Sequence, residues 1–315
     1  IKKIKIIKNI KIHQYMPPEN SFHNMRFKHP FYFFCMSYNF SKIYILEMSA
    51  RKTRKNRPTK SYVVAIPSYN RPDAIVQKSL KTLSDGGVPS NVVHIFVANK
   101  AEEKRYKNAI PKEMYGKIVV GKIGITEQRK FIVNHYAENQ AIVSIDDDVE
   151  GLFKKVSDKE LKKISNVHKF FSDAFTTLKK ENLYIWGIYP VHNPFFMKNK
   201  TTTDLKFIIG TLYGFINRKT KTVQPSSQIK EKEDYEQSIK YFIKDGGVVR
   251  YNDVTIKAKK HAPGGLGVTE GRLDANRFAA EYLEKKYPGY VSVFHRDNGM
   301  TEVRMARIKR DESPK

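Results

Sequence analysis

Cysteine is almost missing from this chain, with Cys35 the single one in 315 residues. No disulfide can close within the chain, and a cysteine-built zinc site is excluded. A reducing, intracellular setting is the expectation. Acidic residues are scarce too, 32 against 58 lysines and arginines, for a formal charge of +26. Long apolar runs are lacking: the most apolar stretch, residues 31–46, is interrupted by Ser37, Asn39, Ser41 and Lys42. It is too short and too polar to span a bilayer, and no small-residue cleavage site follows it. These absences predict a soluble protein with no membrane partner. No internal repeat is present.

The positive charge is unevenly spread. Residues 1–60 hold 14 basic and 2 acidic residues, whereas residues 61–315 hold 44 and 30. The later part is therefore basic in its own right, which suits a polyanionic partner such as nucleic acid, though a lysine-rich solvated surface reads the same way. A nuclear or DNA-associated location is compatible with this charge. Residues 1–47 begin with Ile and are crowded with Ile, Lys, Asn, Phe and Tyr, the products of AT-rich codons. Met48 is a natural start, and the first 60 residues are expected to be a disordered or spurious basic leader. Residues 51–60, RKTRKNRPTK, read as its linker.

From Ser61 the pattern becomes that of a folded domain. Tyr62–Ile66, Val92–Val97, Ile118–Val120 and Ala141–Ile145 read as buried strands. Helices are predicted between them over Asp73–Leu83, Glu102–Asn108 and Thr126–Glu138. Strand–helix alternation over ~90 residues predicts an α/β fold, a mostly parallel sheet with helices on both faces. Further on, Val167–Lys180 carries an apolar stripe of Phe170, Phe171, Ala174, Phe175 and Leu178, which is core. Leu183–Ile188, Phe207–Phe215, Val248–Tyr251 and Val254–Lys257 read as strands. Asp234–Lys244, with Ile239, Phe242 and Ile243 packed inward, and Arg272–Lys286 read as helices.

Ligands on such a sheet bind at the carboxyl ends of the strands. Two segments end there: Pro67-Ser68-Tyr69-Asn70-Arg71 and Asp146-Asp147-Asp148. Three adjacent carboxylates repel one another, which favours a bound cation, and Mg²⁺ or Mn²⁺ is often held by one or two carboxylates plus substrate phosphates. The plainer alternative is an acidic turn capping a helix over Val149–Lys155. Glu233-Asp234 has a plain alternative as well, favouring the positive end of a helix. Arg129 reads equally as a surface residue of its helix, and His261 as a satisfied histidine.

The ordered set IPSYNRP, GITEQRK, SIDDDV and EKEDYEQSIKYFIKDGG resembles the GT-A nucleotide-sugar glycosyltransferases over roughly residues 61–300. The resemblance implies a Rossmann-like mixed sheet with an acceptor-side half, and leaves residues 301–315 as a basic tail. It implies that Pro67, Ser68, Tyr69, Asn70, Arg71 and Arg129 hold the donor nucleotide. Asp146 and Asp148 would bind Mn²⁺ or Mg²⁺, with Asp147 between them on the donor, and His261 before Pro263-Gly264-Gly265 would complete the metal shell. Asp234, or Glu233, would be the catalytic base of an inverting transfer. With HAPGGLG and DNGMTEVRM added, the set is similar to the TET/JBP-associated glycosyltransferases. That branch implies a hexose moved from a UDP-sugar to a hydroxymethyl-pyrimidine in DNA, as in base J synthesis. Protein or glycan acceptors, and an inactive transferase-like binding module, are the alternatives. A nucleotidyltransferase would want a glycine-rich phosphate loop after the first strand, where SYNRP stands instead.

Overall fold

The computed structural model describes residues 62–224, 226–258, 270–296 and 300–312. The leader with Cys35, and His261 with Pro263-Gly264-Gly265, lie outside the described residues. All described residues belong to one unit, Lys60–Lys315.

The sheet grows from segments that are apolar on both sides. β1 (Val63–Pro67), β2 (Val93–Val97) and β4 (Ala141–Ile145) are buried at every position. Such runs suit parallel strands covered on both faces. Together with β3 (Lys117–Val120), β7 (Ile185–Ile188), β8 (Thr201–Thr202), β9 (Leu212–Ile216) and β10 (Val249–Tyr251) they form an eight-stranded sheet, ordered β3-β2-β1-β4-β9-β7-β10-β8. β1, β2, β3 and β4 run parallel; β9 runs against both β4 and β7, and β10 is parallel to β7. The sheet is thus mixed, and the chain leaves β1 toward β2 yet returns to pair β4 on its other side. That reversal opens a crevice at the carboxyl ends of β1 and β4.

Alternate side chains supply the two faces. Val64, Ile66, Ile95 and Val143 pack with α1 (residues 72–85), α2 (Lys100–Ala109) and α4 (Val167–Glu181) through Leu83, Tyr106 and Phe171. Val63, Ala65, Phe96 and Ile142 pack with α3 (Ile125–His135) and α5 (Glu233–Asp245) through Ile132 and Phe242. Helix α1 is not regular. It runs as Pro72–Ile75, a π-helical turn Val76–Leu80, and Lys81–Asp85. The wider turn carries Ser79, which is fully buried. Its hydroxyl donates to the carbonyl of Asp146 (2.6 Å) and accepts from the amide of Val149 (2.9 Å).

Three expectations and one alternative change. Val149–Lys155 is not a helix but a strand, β5, paired with β6 (Leu161–Lys163) and β11 (Val254–Ala258) in a second sheet. The predicted strand over Phe207–Phe215 shortens to Leu212–Ile216, because the backbone ahead of it is bonded to side chains. Ser238 Oγ accepts from the amide of Ile208, and Asp234 Oδ2 accepts from that of Gly210. Ile239 and Phe242 are buried but Ile243 is 51% exposed, lying past the edge of the apolar stripe of α5. Finally, Thr301–Met305 is no tail. It forms β13, antiparallel to β12 (Val291–His295), and Val303 packs with Ala280 and Leu283 of α6 (Glu270–Lys286).

Glu236 joins these last elements. Fully buried in α5, it accepts from Ser226 N (2.6 Å) and Tyr287 Oη (2.8 Å), and it pairs with Lys286 (3.1 Å) and Lys240 (3.3 Å). Burial works against its charge, yet these donors and cations together hold its carboxyl below the usual 4.5. A lowered folded pKa contributes stability that is present above 4.5 and lost as pH falls through the folded value. Glu236→Gln should cost about 1–3 kcal/mol near neutral pH. Urea unfolding from pH 7 downward should show the gap to wild type closing in the acid range.

Candidate functional site

The crevice is assembled from two loops that grip each other through one aspartate. Ser68 Oγ donates to Asp147 Oδ2 at 2.6 Å, and Arg71 Nη1 donates to Asp147 Oδ1 at 3.1 Å. Ser68 has a single proton, so it must accept from Tyr106 Oη at 2.7 Å, which in turn accepts from the amide of Arg71 at 2.9 Å. Asp147 is the most deeply buried of the triplet, at 6% exposure. It acts as a clasp between the strand ends. Asn70 stands beside it in the left-handed region (φ 61°), where asparagine is tolerated, and its amide donates to Glu102 at 2.8 Å. Tyr69 projects from this loop and is 57% exposed. Pro67 closes β1.

Asp146 and Asp148 keep solvent-facing surface on either side of the clasp. Asp148 Oδ2 lies 3.8 Å from Arg71 Nη1, too far for a hydrogen bond. Burial, opposed by Arg129 and reinforced by Asp148, Asp147 and Glu233, pushes the Asp146 carboxyl up to about 7. Burial likewise raises Asp147 and Asp148 above the usual carboxylate range. Among the described residues no three His, Cys, Asp or Glu side chains converge as a ready-made metal cage. Two partly exposed carboxylates with raised pKa nevertheless fit a hard divalent cation that takes its other oxygens from phosphate and water.

Arg129 ties this cluster to the second acidic pair. It is 7% exposed, so it is no surface residue of α3. Its guanidinium donates from Nη1 to Glu233 Oε1, and from Nη2 to Asp146 Oδ1 (3.3 Å) and the carbonyl of Gly210 (2.8 Å). The ring of Tyr213 lies 5.8 Å away. Burial opposes the charge, but Tyr213, Glu233, Asp146 and Asp234 outweigh it and hold the guanidinium firmly protonated. Asp234 sits in the first turn of α5, accepting from the amides of Gly210 (3.1 Å) and Tyr235 (3.0 Å). Burial and the neighbouring Glu233 push it up to about 6.

Sequence reasoning therefore named both acidic pairs and Arg129. It missed Tyr106, Ser79 and Gly210, which hold them. Gly210 left a signal, an isolated glycine in an apolar run that marks close approach of another group. A Cβ there would meet Arg129 Nη1 at 2.7 Å. Tyr106 and Ser79 left none.

No protein-family model matches the chain, and no curated protein matches it in sequence. Solved structures resemble it in fold at low identity. One is residues 1–349 of TarS from S. aureus, 13% identical, with a TM-score of 0.44, covering 72% of this chain and 71% of that one. Another is the mannosyltransferase PcManGT from Pyrobaculum calidifontis with GDP-Man and Mn²⁺, 12% identical, TM-score 0.47, covering 77% and 71%. A third is glucosyl-3-phosphoglycerate synthase from Mycobacterium tuberculosis with Mn²⁺, UDP and phosphoglyceric acid, 11% identical, TM-score 0.44, covering 79% and 87%.

Removing the Arg129 charge would strand buried carboxylates. Arg129→Gln should destabilise the protein by about 3–5 kcal/mol in urea titration at neutral pH. Arg129→Lys should recover only part of this, because an ammonium cannot span Glu233, Asp146 and Gly210 as a fork does.

Proposed function

We propose that the chain is a metal-dependent transferase that moves a hexose from a UDP-sugar to an acceptor hydroxyl. The observation that carries this reading is Arg129. Through it the Asp146–Asp148 triplet and the Glu233-Asp234 pair share one crevice at the strand reversal, although the pairs it joins are 17 and 104 residues away in sequence. The plainer explanation of the triplet loses its basis, since Val149–Lys155 is a strand and offers no helix to cap.

Asp146 and Asp148 would hold Mn²⁺ or Mg²⁺, with His261 as the further ligand inferred from sequence. When bound, the cation would offset the negative charge developing on the departing diphosphate. The chain's own groups do the rest. Arg71, Tyr69 and Asn70 line the loop that would hold the nucleotide, and Ser68 and Pro67 set that loop. Asp147 keeps Arg71 in place, and Arg129 keeps the two acidic pairs at a fixed separation. Asp234, raised to about 6, is matched to neutral operation as a general base. It would take the proton of the acceptor hydroxyl as that oxygen bonds to the anomeric carbon and the bond from that carbon to the diphosphate breaks. Glu233, engaged by Arg129, orients the pair. Attack opposite the leaving group inverts the anomeric centre.

For the acceptor we propose a hydroxymethyl-pyrimidine in DNA. The basic excess over residues 61–315 supports a polyanionic acceptor. A hydroxymethyl group inside a duplex would have to be flipped out to reach Asp234.

Two substitutions separate donor from acceptor chemistry. Asp148→Asn should abolish Mn²⁺-dependent UDP binding in calorimetry while leaving the melting temperature equal or higher, since it relieves carboxylate repulsion. Unchanged affinity would remove the metal assignment. Asp234→Asn should keep UDP and metal affinity, yet lower turnover per folded molecule by roughly 10²–10⁴-fold with hydroxymethylated DNA and UDP-sugars, read by nucleoside mass spectrometry. Near-normal turnover would remove Asp234 from the mechanism.

A further inference from the structure

Beside β10 and the start of α5 lies a second concentration of charge, opposite in sign to the aspartates. β9 reverses between β4 and β7, so β7 and β10 run in the same direction as β4. β10 lies three strand spacings from β4, roughly 14 Å at ~4.8 Å per strand. A cavity of about 230 Å³ opens there, with Lys206, Arg250 and Arg307 in its wall beside Phe207 and Tyr235.

Its cations have little to neutralise them. Arg250 is half-buried; Nε donates to Asn252 Oδ1 (2.8 Å) and Nη1 to the carbonyl of Phe207 (3.4 Å). The guanidinium sits 5.4 Å from the ring of Tyr189. Among the described residues no carboxylate forms an ion pair with Arg250 or with Arg307. Burial lowers Arg250 to about 10, with only the Tyr189 hydroxyl acting the other way. Lys206 has one acid within reach, Asp204 at 3.9 Å. Burial lowers its ammonium, and the cations of Arg250, Lys200 and Arg307 lower it further against Asp204. Beside them the rings of Phe207 and Tyr235 stack at 4.0 Å, forming a flat apolar wall. A half-buried guanidinium without an acidic partner is costly unless an anion completes it.

We propose that this cavity is a phosphate subsite, in which a phosphate mono- or diester group sits among Arg250, Lys206 and Arg307 while the Phe207–Tyr235 wall packs against the framework that bears it. Tyr235 directly follows Asp234, so the group belongs to the acceptor; this assignment rests on the transferase reading, whereas the anion site stands without it.

Calorimetry on the full chain, with saturating UDP and Mn²⁺ to occupy the donor crevice, tests the proposal. The probes are inorganic phosphate and tetrathymidylate. Arg250→Gln should weaken binding by about tenfold or more, the loss expected for charge-assisted hydrogen bonds. Arg307→Gln, at an exposed side chain, should weaken it several-fold with an unchanged melting curve, which guards against a merely misfolded variant. Tighter binding of tetrathymidylate identifies a phosphodiester in a chain, and equal binding of inorganic phosphate identifies a lone phosphate group. Binding by neither probe, or equal binding by wild type and both variants, overturns the site. If UDP fails to bind while Arg250-sensitive phosphate binding persists, the transferase reading falls and the anion subsite remains.

Discussion

A single buried guanidinium sets the terms for the whole crevice. Arg129 could not keep its charge away from water without Glu233 and Asp146 against it, and those acids could not crowd together without Arg129. The constraint is mutual. It also fixes where helix α5 begins relative to strand β4, because both acids must reach one planar fork. The loop ahead of β9 is drawn into the same arrangement, giving the carbonyl of Gly210 to Arg129 and its amide to Asp234. That loop is irregular because its backbone groups are taken by side chains, so no neighbouring strand is needed to satisfy them.

The three aspartates show how adjacent, identical residues divide their work. Asp147 faces the β1 loop and is consumed by Ser68 and Arg71. Its neighbours stay partly open, with Asp146 leaning on Arg129 and Asp148 loosely on Arg71. The clasp fixes the middle residue, and the flanking carboxylates inherit their positions from it. A change at Asp147 would therefore disturb both the loop after β1 and the two flanking carboxylates.

Much of the sheet was legible because β1, β2 and β4 are short apolar runs buried on both faces, which few other structures accommodate. The acidic pairs were legible because their side chains are chemically conspicuous. Arg129 was named only through resemblance; nothing local distinguishes it from the other cations of its amphipathic helix, since its partners lie far along the chain. Phe207–Gly210 read as strand for a related reason: FIIG is apolar, and the side chains that capture its backbone come from α3, α5 and β10, far along the chain. The closing hairpin was readable and was missed. VSVFH and TEVRM alternate on either side of a segment containing Asn298-Gly299, a strong hairpin signal. The tail reading gave weight to its charge over its alternation.

The π-helical turn of α1 makes the site sensitive to chain length as well as to side-chain identity. The extra residue in Val76–Leu80 brings the Ser79 hydroxyl between the carbonyl of Asp146 and the amide of Val149. Deleting one residue there would restore regular α-helical hydrogen bonding and rotate Ser79 by about 100° around the axis. The helix alone would gain from such a deletion, while the turn carrying the aspartates would lose the hydroxyl that bridges it. Local regularity and site architecture are thus in opposition at this one turn. Among relatives that share the crevice, gaps should be tolerated in the surface loops and avoided between Ile75 and Lys81.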